Sequence, residues 1–334
     1  MKSSGALTRP SLAPLACLVA LGAVLAPACG ATERGSPVTS FDEAGIVPIA
    51  EGDSGAGTIP GQACAKMDIL LVIDNSGSMQ EEQANLAANF AVLTQKLDQF
   101  SSGGGAKLDY RIAVTTSGKT AQYIMKPKSP IAGFPDPPPM PANDVGDDGR
   151  FKRECSMSRP WLERDDPTLQ NQFSCVTKVG TGGPGLEMPL EALRLAVTDR
   201  VADGSNAGFL RDDALLAVVI LSDEDDCSRR DNNFEIADDN CPPGAPGYEQ
   251  VADYVAAIDA VKGGHDRWAA AVVAGPVACT SSFGAAKEAV RLKEFAGKLG
   301  GNGVFSSICL GDLVSPLENA LNVFNSACQK FTVK

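Results

Sequence analysis

Two uninterrupted aliphatic runs, each ending in an aspartate, constrain this chain more than any other feature of it. The first, Ile69-Leu70-Leu71-Val72-Ile73, leads into Asp74-Asn75-Ser76-Gly77-Ser78; the second, Ala214 to Leu221, leads into Ser222 and Asp223. Neither run alternates with polar residues and both contain β-branched side chains, so each suits a strand buried on both faces of a parallel sheet. Ligands of such sheets bind beyond the carboxyl ends of the strands. Asp74, Ser76 and Ser78, spaced two apart at such an end, offer the hard oxygen donors that Mg²⁺, Mn²⁺ or Ca²⁺ prefers to nitrogen or sulfur.

Between the two runs lies the glycine-rich stretch Val179-Gly180-Thr181-Gly182-Gly183-Pro184-Gly185, which carries one hydroxyl. Each piece also has a plainer reading. Asp-Asn-Ser-Gly-Ser before a helix can serve as a turn and N-cap, and Asp223-Glu224-Asp225-Asp226 can be a solvated acidic loop. Capping alone accounts poorly for two buried strands ending in aspartate with a Gly-Thr loop between them.

Taken together, Asp74, Ser76, Ser78, Thr181 and Asp223 resemble the von Willebrand factor type A (VWA) domain family. Its metal-ion-dependent adhesion site (MIDAS) combines Asp-x-Ser-x-Ser in a first loop, a Thr in a second and an Asp in a third. The family usually carries that Thr about six residues before an Ala-Leu pair. Thr181 lies further from Ala192-Leu193, which implies a small insertion in this loop. The resemblance spans roughly residues 65 to 330 and implies an α/β, Rossmann-like VWA fold, with a mostly parallel central sheet, one antiparallel edge strand and helices on both faces.

The pattern of elements agrees with an alternating α/β chain. Leu86, Phe90, Leu93 and Leu97 mark an amphipathic helix, stopped by Ser101-Ser102-Gly103-Gly104-Gly105. Leu108 to Thr116 reads as a second strand, and Gln122 to Lys126 as a short third, its antiparallel neighbour. Leu186, Leu190, Leu193 and Val197 share one helical face, and Val251, Val255, Ile258 and Val261 another. Trp268 to Ala274 reads as a strand, 286 to 299 as a helix, Gly303 to Ile308 as a last strand, and Leu313 to Cys328 as a closing helix. Two connections exceed ordinary lengths. The insert over 127–178 holds nine prolines and little periodicity; the acidic insert over 226–247 follows the Asp223 strand and should emerge on the same face as the metal, where variable loops commonly carry recognition. Within the first insert, Asp144 to Glu154 resembles a calcium loop but is one residue short of the EF-hand spacing and lacks flanking helices, so an exposed turn is expected.

The N-terminus carries Lys2 and Arg9 ahead of a Leu-, Ala- and Val-rich stretch broken by Pro14 and Pro27, a secretory signal peptide over 1–28 rather than a membrane span. Leu25-Ala26-Pro27-Ala28-Cys29 resembles a bacterial lipoprotein processing site with Cys29 as the acylated residue; ordinary signal-peptidase cleavage after Ala28 competes with it. Residues 29–62 read as a flexible tether with an r.m.s. reach of roughly 30 Å, ahead of a domain over 63–331. Beyond Cys17 and Cys29, eight cysteines remain: Cys64, Cys155, Cys175, Cys227, Cys241, Cys279, Cys309 and Cys328. An even count suits disulfides in an oxidising compartment, and proximity suggests Cys155 with Cys175, Cys227 with Cys241, Cys279 with Cys309, and Cys64 with Cys328. Zinc is the rival use, but there is no Cys-x-x-Cys and His265 is the single histidine, expected in an exposed loop.

A net charge of −12, with no basic cluster, argues against a nucleic-acid partner. Catalysis finds little footing. Position 76 is Ser where a haloacid-dehalogenase-like phosphatase needs a second Asp, no Gly-x-x-x-x-Gly-Lys phosphate loop occurs, and no nucleophile motif accompanies His265. The resemblance implies an exported, envelope-anchored binding domain, not an enzyme, with no small-molecule substrate. Its Mg²⁺ (or Mn²⁺ or Ca²⁺), held by Asp74, Ser76, Ser78, Thr181 and Asp223, captures an Asp or Glu of a protein partner. Glu224, Asp225 and Asp226 are candidates for orienting the ligands or occupying the open position. The alternatives are an envelope protein whose metal only stabilises loops, and a metal-dependent hydrolase.

Overall fold

Parallel pairing of the two aspartate-ending strands organises the domain. The structure, a computed structural model, describes residues 64–99, 107–237, 241 and 247–332; the signal peptide, the tether and Cys29 lie outside the described residues. The strands are β1 (Lys66–Ile73), β2 (Asp109–Thr116), β3 (Ala121–Met125), β4 (Met140–Asp144), β5 (Leu162–Glu163), β6 (Leu215–Leu221), β7 (Asn233–Ile236), β8 (Trp268–Ala274), β9 (Cys279–Ser281), β10 (Gly284–Ala286) and β11 (Gly303–Ser307). The helices are α1 (Gln80–Ala88), α2 (Phe90–Gln99), α3 (Leu169–Val176), α4 (Pro189–Val197), α5 (Asp199–Ala202), α6 (Val251–Lys262), α7 (Val290–Lys298) and α8 (Val314–Lys330).

The central sheet runs β11-β8-β6-β1-β2-β5, parallel throughout except for β5, which pairs antiparallel with β2 at the edge. Because side chains alternate across a strand, β1 feeds two cores. Ile69, Leu71 and Ile73 join Leu86, Leu93, Leu317 and Phe324 on the face covered by α1, α2 and α8, while Leu70 and Val72 join Leu193, Tyr254, Ile258 and Phe295 on the face covered by α4, α6 and α7. Each such aliphatic side chain contributes roughly 1.5–3 kcal/mol by leaving water. This two-sided burial is why the run shows no polar alternation.

Several boundaries differ from the periodicity. The expected antiparallel neighbour of β2 is β3, but β3 leaves the central sheet and forms a second, three-stranded one in the order β4-β3-β7. Just after β2, Gly118 and Gly146 approach too closely for any side chain at 146. The edge position is taken by β5, from the Pro-rich insert. That insert therefore has structure of its own in β4, β5 and α3, and the acidic insert supplies β7. Tyr123 stacks on Phe234 at 5.2 Å, and Ala121, Leu186, Met188, Ile236 and the Cys227–Cys241 pair complete a small third core. The Leu86 to Leu97 pattern is split into α1 and α2 at Asn89, whose side-chain amide donates to Asn85 O at 2.9 Å. Proline fits the first helical turn, so the helix expected from Leu186 starts at Pro189 as α4. Residues 284–286 form β10, and α7 begins only at Val290. The Asp144 to Gly149 turn is half-buried rather than exposed, since Asp148 accepts from Thr120 N at 2.6 Å and Asp147 from Thr116 Oγ1 at 2.8 Å. His265 sits in a short 3-10 turn, 3.1 Å from Asp259.

Four disulfides join Cys64 to Cys328, Cys155 to Cys175, Cys227 to Cys241 and Cys279 to Cys309. The first ties the start of β1 to the end of α8, across 264 positions of sequence. No described helix is long and apolar enough to cross a membrane.

Candidate metal centre

The chain turns back at β1: β2 follows on one side of it and β6 lies on the other, so the carboxyl ends of β1 and β6 form the crevice where sheets of this kind bind ligands. In-register pairing of Ile73 with Leu221 brings Asp74 beside Ser222 and Asp223, and Asp74 N donates to Leu221 O at 2.9 Å. Asp74 is fully buried. Its Oδ1 accepts from Ser76 N at 2.8 Å, closing the turn, and its Oδ2 accepts from Ser222 Oγ at 2.6 Å. The Ser76 and Ser78 hydroxyls lie 3.2 Å apart, and that of Ser78 reaches the carboxyl of Asp223. Asp223 is 3% exposed, within hydrogen-bonding reach of Asp74, and its Oδ1 has no partner.

The second loop is fastened to the first. Gln83 Nε2 donates to Asp74 O at 3.0 Å and to Gly180 O at 2.9 Å, and Gly180 N donates back to Gln83 Oε1 at 3.1 Å. Gly183 N donates to Asn75 O at 2.8 Å, an approach possible because a Cβ at 183 would overlap the Asn75 side chain. Thr181 rides on this loop at the rim, exposed, with no hydrogen bond among the described residues.

The residue of the second loop that reaches the buried cluster is Glu187, which the residue types alone did not single out. It is 1% exposed. Its Oε2 accepts from Ser117 Oγ, its carboxyl lies against that of Asp74, and its Oε1 is buried without a partner. Glu82, in the first turn of α1, adds a further buried carboxyl with an unpartnered oxygen.

Burial dominates the electrostatics. It pushes the Asp74 carboxyl up to about 6, and the charge of Asp223 adds to this against the hydrogen bonds from Ser222 and Ser76. Burial likewise raises Glu82 to about 7, helped by the charges of Asp223, Glu81 and Asp74. Glu187 is held well above the usual glutamate range by burial first and Asp74 second, and Asp223 is raised by burial.

Of the neighbouring acids, Glu224 pairs with Lys287 at 3.1 Å. Asp225 accepts from the amides of Arg291 and Leu292 at the start of α7. Asp226 accepts from Leu190 N at 3.0 Å in the first turn of α4 and from Arg291 Nε at 3.0 Å. The latter two carboxylates thus fix helix starts that support the crevice.

The donor set is uniformly hard oxygen: two carboxylates, two hydroxyls and, around them, several buried acceptors with nothing to accept from. Leaving one such acceptor unsatisfied costs about 1–3 kcal/mol, and more if charged, so this grouping fits a divalent cation. The carboxyls touch in sequence, Glu187 against Asp74 and Asp74 against Asp223. Among the described residues no three acidic, histidine or cysteine side chains converge on one point, which leaves the serine hydroxyls to complete any coordination.

No protein-family model matches the chain, and no curated protein sequence does. Among solved structures it is similar to proximal thread matrix protein 1 from the mussel byssus, at 10% identity and a TM-score of 0.38 over 79% of this chain and 49% of that one. The same mussel protein with a zinc-occupied MIDAS motif gives 13% identity and a TM-score of 0.36 over 81% and 47%. The pilus adhesin SpaC from Lactobacillus rhamnosus GG, in its open conformation, gives 10% identity and a TM-score of 0.37 over 79% and 30%. The chain spans about half or less of the length of each of these proteins.

Proposed function

We propose that this chain is an exported, non-catalytic binding domain of the cell envelope, anchored through Cys29, that presents a divalent cation to a protein partner. The observation that carries this reading is the contact between the buried carboxyls of Asp74 and Asp223 at adjacent strand ends, with Asp223 Oδ1 unpartnered beside the Ser76 and Ser78 hydroxyls. When bound, the ion would supply Lewis-acid attraction for an acidic side chain. Asp74 and Asp223 would neutralise it, Ser76 and Ser78 would add uncharged donors, and Thr181 at the rim would face the partner. Mg²⁺, Mn²⁺ and Ca²⁺ all suit such donors. Four disulfides support an oxidising, extracytoplasmic location.

A second reading, in which the ion only stabilises the loops, draws support from the buried oxygens that lack a hydrogen-bond partner, Asp223 Oδ1 among them, which a resident cation would satisfy. A pulldown from envelope extract with the immobilised chain separates the two. The binding reading expects capture that chelator abolishes and Mg²⁺ restores, and that Asp74→Ala lacks. Capture indifferent to chelator, with Mg²⁺ still raising the melting temperature, would leave only the stabilising role.

A further inference from the structure

We propose that the polar cavity between β3, α4 and α5 binds a small acidic sugar, with Arg150 and Arg230 taking its carboxylate or phosphate group. The cavity has a volume of about 560 Å³ and is lined by five basic and three acidic side chains, a local excess of positive charge in a chain whose net charge is −12. None of its lining residues belongs to the Asp74 crevice, so it is a separate site whether or not that crevice holds a cation.

Most of these charges are already matched. Arg194 donates to Glu191 through Nε at 2.9 Å and Nη2 at 2.8 Å, and Arg200 Nη1 lies 2.7 Å from Asp203. Arg150 and Arg230 differ: their acidic neighbours, Asp148 and Glu249, stand 3.6 and 4.0 Å away, and neither guanidinium makes a hydrogen bond among the described residues. Their backbones are nonetheless fixed. Lys119, nearly buried, donates to Arg229 O at 2.7 Å and to Asp231 O at 2.8 Å, the carbonyls on either side of Arg230. Arg150 N donates to Asp147 O at 2.9 Å, and Arg150 O accepts from Thr115 Oγ1 at 2.9 Å.

A guanidinium carries five donors in a planar fork that matches a carboxylate or a phosphate, and a backbone held beforehand lowers the ordering cost of binding. Clefts of about 300–1,000 Å³ take small molecules. The rest of this wall suits hydroxyls: Thr120, Gln122, Asn232 and Asn233 bring donors and acceptors, and among the described residues no aromatic ring lines the cavity for a flat or apolar ligand to stack on.

The test is isothermal titration of the purified 334-residue chain, in chelator, with glucuronate, glucose-6-phosphate, glucose and inorganic phosphate, on wild type, Arg150→Gln, Arg230→Gln and Lys128→Gln. Both arginines are half exposed, and Lys128 is an exposed cation paired with Asp136 outside the cavity. Matched far-UV spectra and melting curves verify the folds. Expected is binding of glucuronate or glucose-6-phosphate about tenfold or more tighter than that of glucose or inorganic phosphate, weakened about 10–100-fold in each arginine variant and by no more than twofold in Lys128→Gln. The tighter of the two acidic sugars identifies the acid group. No binding of either, affinity that inorganic phosphate equals, or binding that either arginine variant retains within twofold would overturn the inference.

Discussion

Gln83 and Gly180, 97 positions apart, are joined by a reciprocal pair of hydrogen bonds, the side-chain amide donating to the Gly180 carbonyl at 2.9 Å and accepting from its amide at 3.1 Å. The same Nε2 also donates to the carbonyl of Asp74 at 3.0 Å. One side chain on α1 therefore sets the spacing between the first and second loops of the crevice. Gln83→Ala leaves the Asp74 and Gly180 carbonyls and the Gly180 amide without this partner. A loss of about 1–3 kcal/mol in denaturant stability is expected, with weakened Mg²⁺ affinity, both read by urea titration with and without the ion. Unchanged stability and affinity would show that water replaces the clamp at no cost.

Removing the central carboxylate should act in opposite directions on stability and on binding. In the metal-free chain Asp74 is buried against two other carboxyls, Asp223 and Glu187, an arrangement that opposes folding. Asp74→Asn keeps the shape while deleting the charge, its Oδ1 still accepting from Ser76 N and its Nδ2 donating to the Ser222 hydroxyl, which then donates to Glu224 O. The chelated variant is expected to melt at or above the temperature of chelated wild type, yet to gain nothing on Mg²⁺ addition. A variant that still shifts upward with Mg²⁺ would place the ion elsewhere.

The parts of the fold legible in the sequence are those where both faces of an element are buried. Ile69 to Ile73 and Trp268 to Ala274 are apolar throughout because helices cover each face of the sheet, and no other element suits such short unbroken runs. The edge was illegible for the same reason reversed. Leu162 and Glu163 are two residues held by backbone pairing to Arg111 and Ile112, too few to show a period. Residue types at Asp74, Ser76, Ser78 and Asp223 pointed to one crevice, since aspartates that end adjacent parallel strands must meet. The second loop is less legible: the hydroxyl of its glycine-rich stretch, Thr181, lies exposed at the rim, while Glu187, between Leu186 and Met188, is buried against Ser117. Only the loop path shows that it points inward.

Asp226 and Arg291 give a further expectation. Asp226 is fully buried and Arg291 nearly so, with Arg291 Nη2 2.9 Å from Asp226 Oδ2. Removing one partner strands the other charge, so Arg291→Met should cost about 3–5 kcal/mol, whereas Arg291→Met with Asp226→Asn should recover part of it. Because Asp226 touches the starts of α4 and α7 and not the Asp74 cluster, Asp226→Asn should leave Mg²⁺ affinity within about twofold. Denaturant melts give the first result and calorimetry the second. A large affinity loss in a folded Asp226→Asn chain would return Asp226 to the ion's surroundings.

The pH dependence of the chelated chain should run against that of the loaded one. A carboxyl whose folded pKa is raised holds its proton more tightly folded than unfolded; its contribution is present below the unfolded value and is lost as pH rises through the folded one. Asp74, at about 6 against 3.8, and Glu82, at about 7 against 4.5, are shifted this way, and Glu187 follows in the same direction. The acids shifted the other way, such as Asp213 and Asp231, titrate below the usual carboxylate value, and Lys119 and Lys262 are bases that burial lowers from the usual 10.5. Between pH 5 and 7.5 the chelated chain should therefore lose stability as pH rises, by roughly 1.4 kcal/mol for each full unit of one group's shift traversed. Saturating Mg²⁺ binds the deprotonated carboxylates and competes with the same protons, so its stabilising effect should grow over that window. Urea midpoints at pH 5, 6 and 7.5, with chelator and with Mg²⁺, measure both slopes. A chelated midpoint that climbs with pH would mean that these carboxyls already have a counter-charge in the folded chain, and with it the need for a cation at this crevice would disappear.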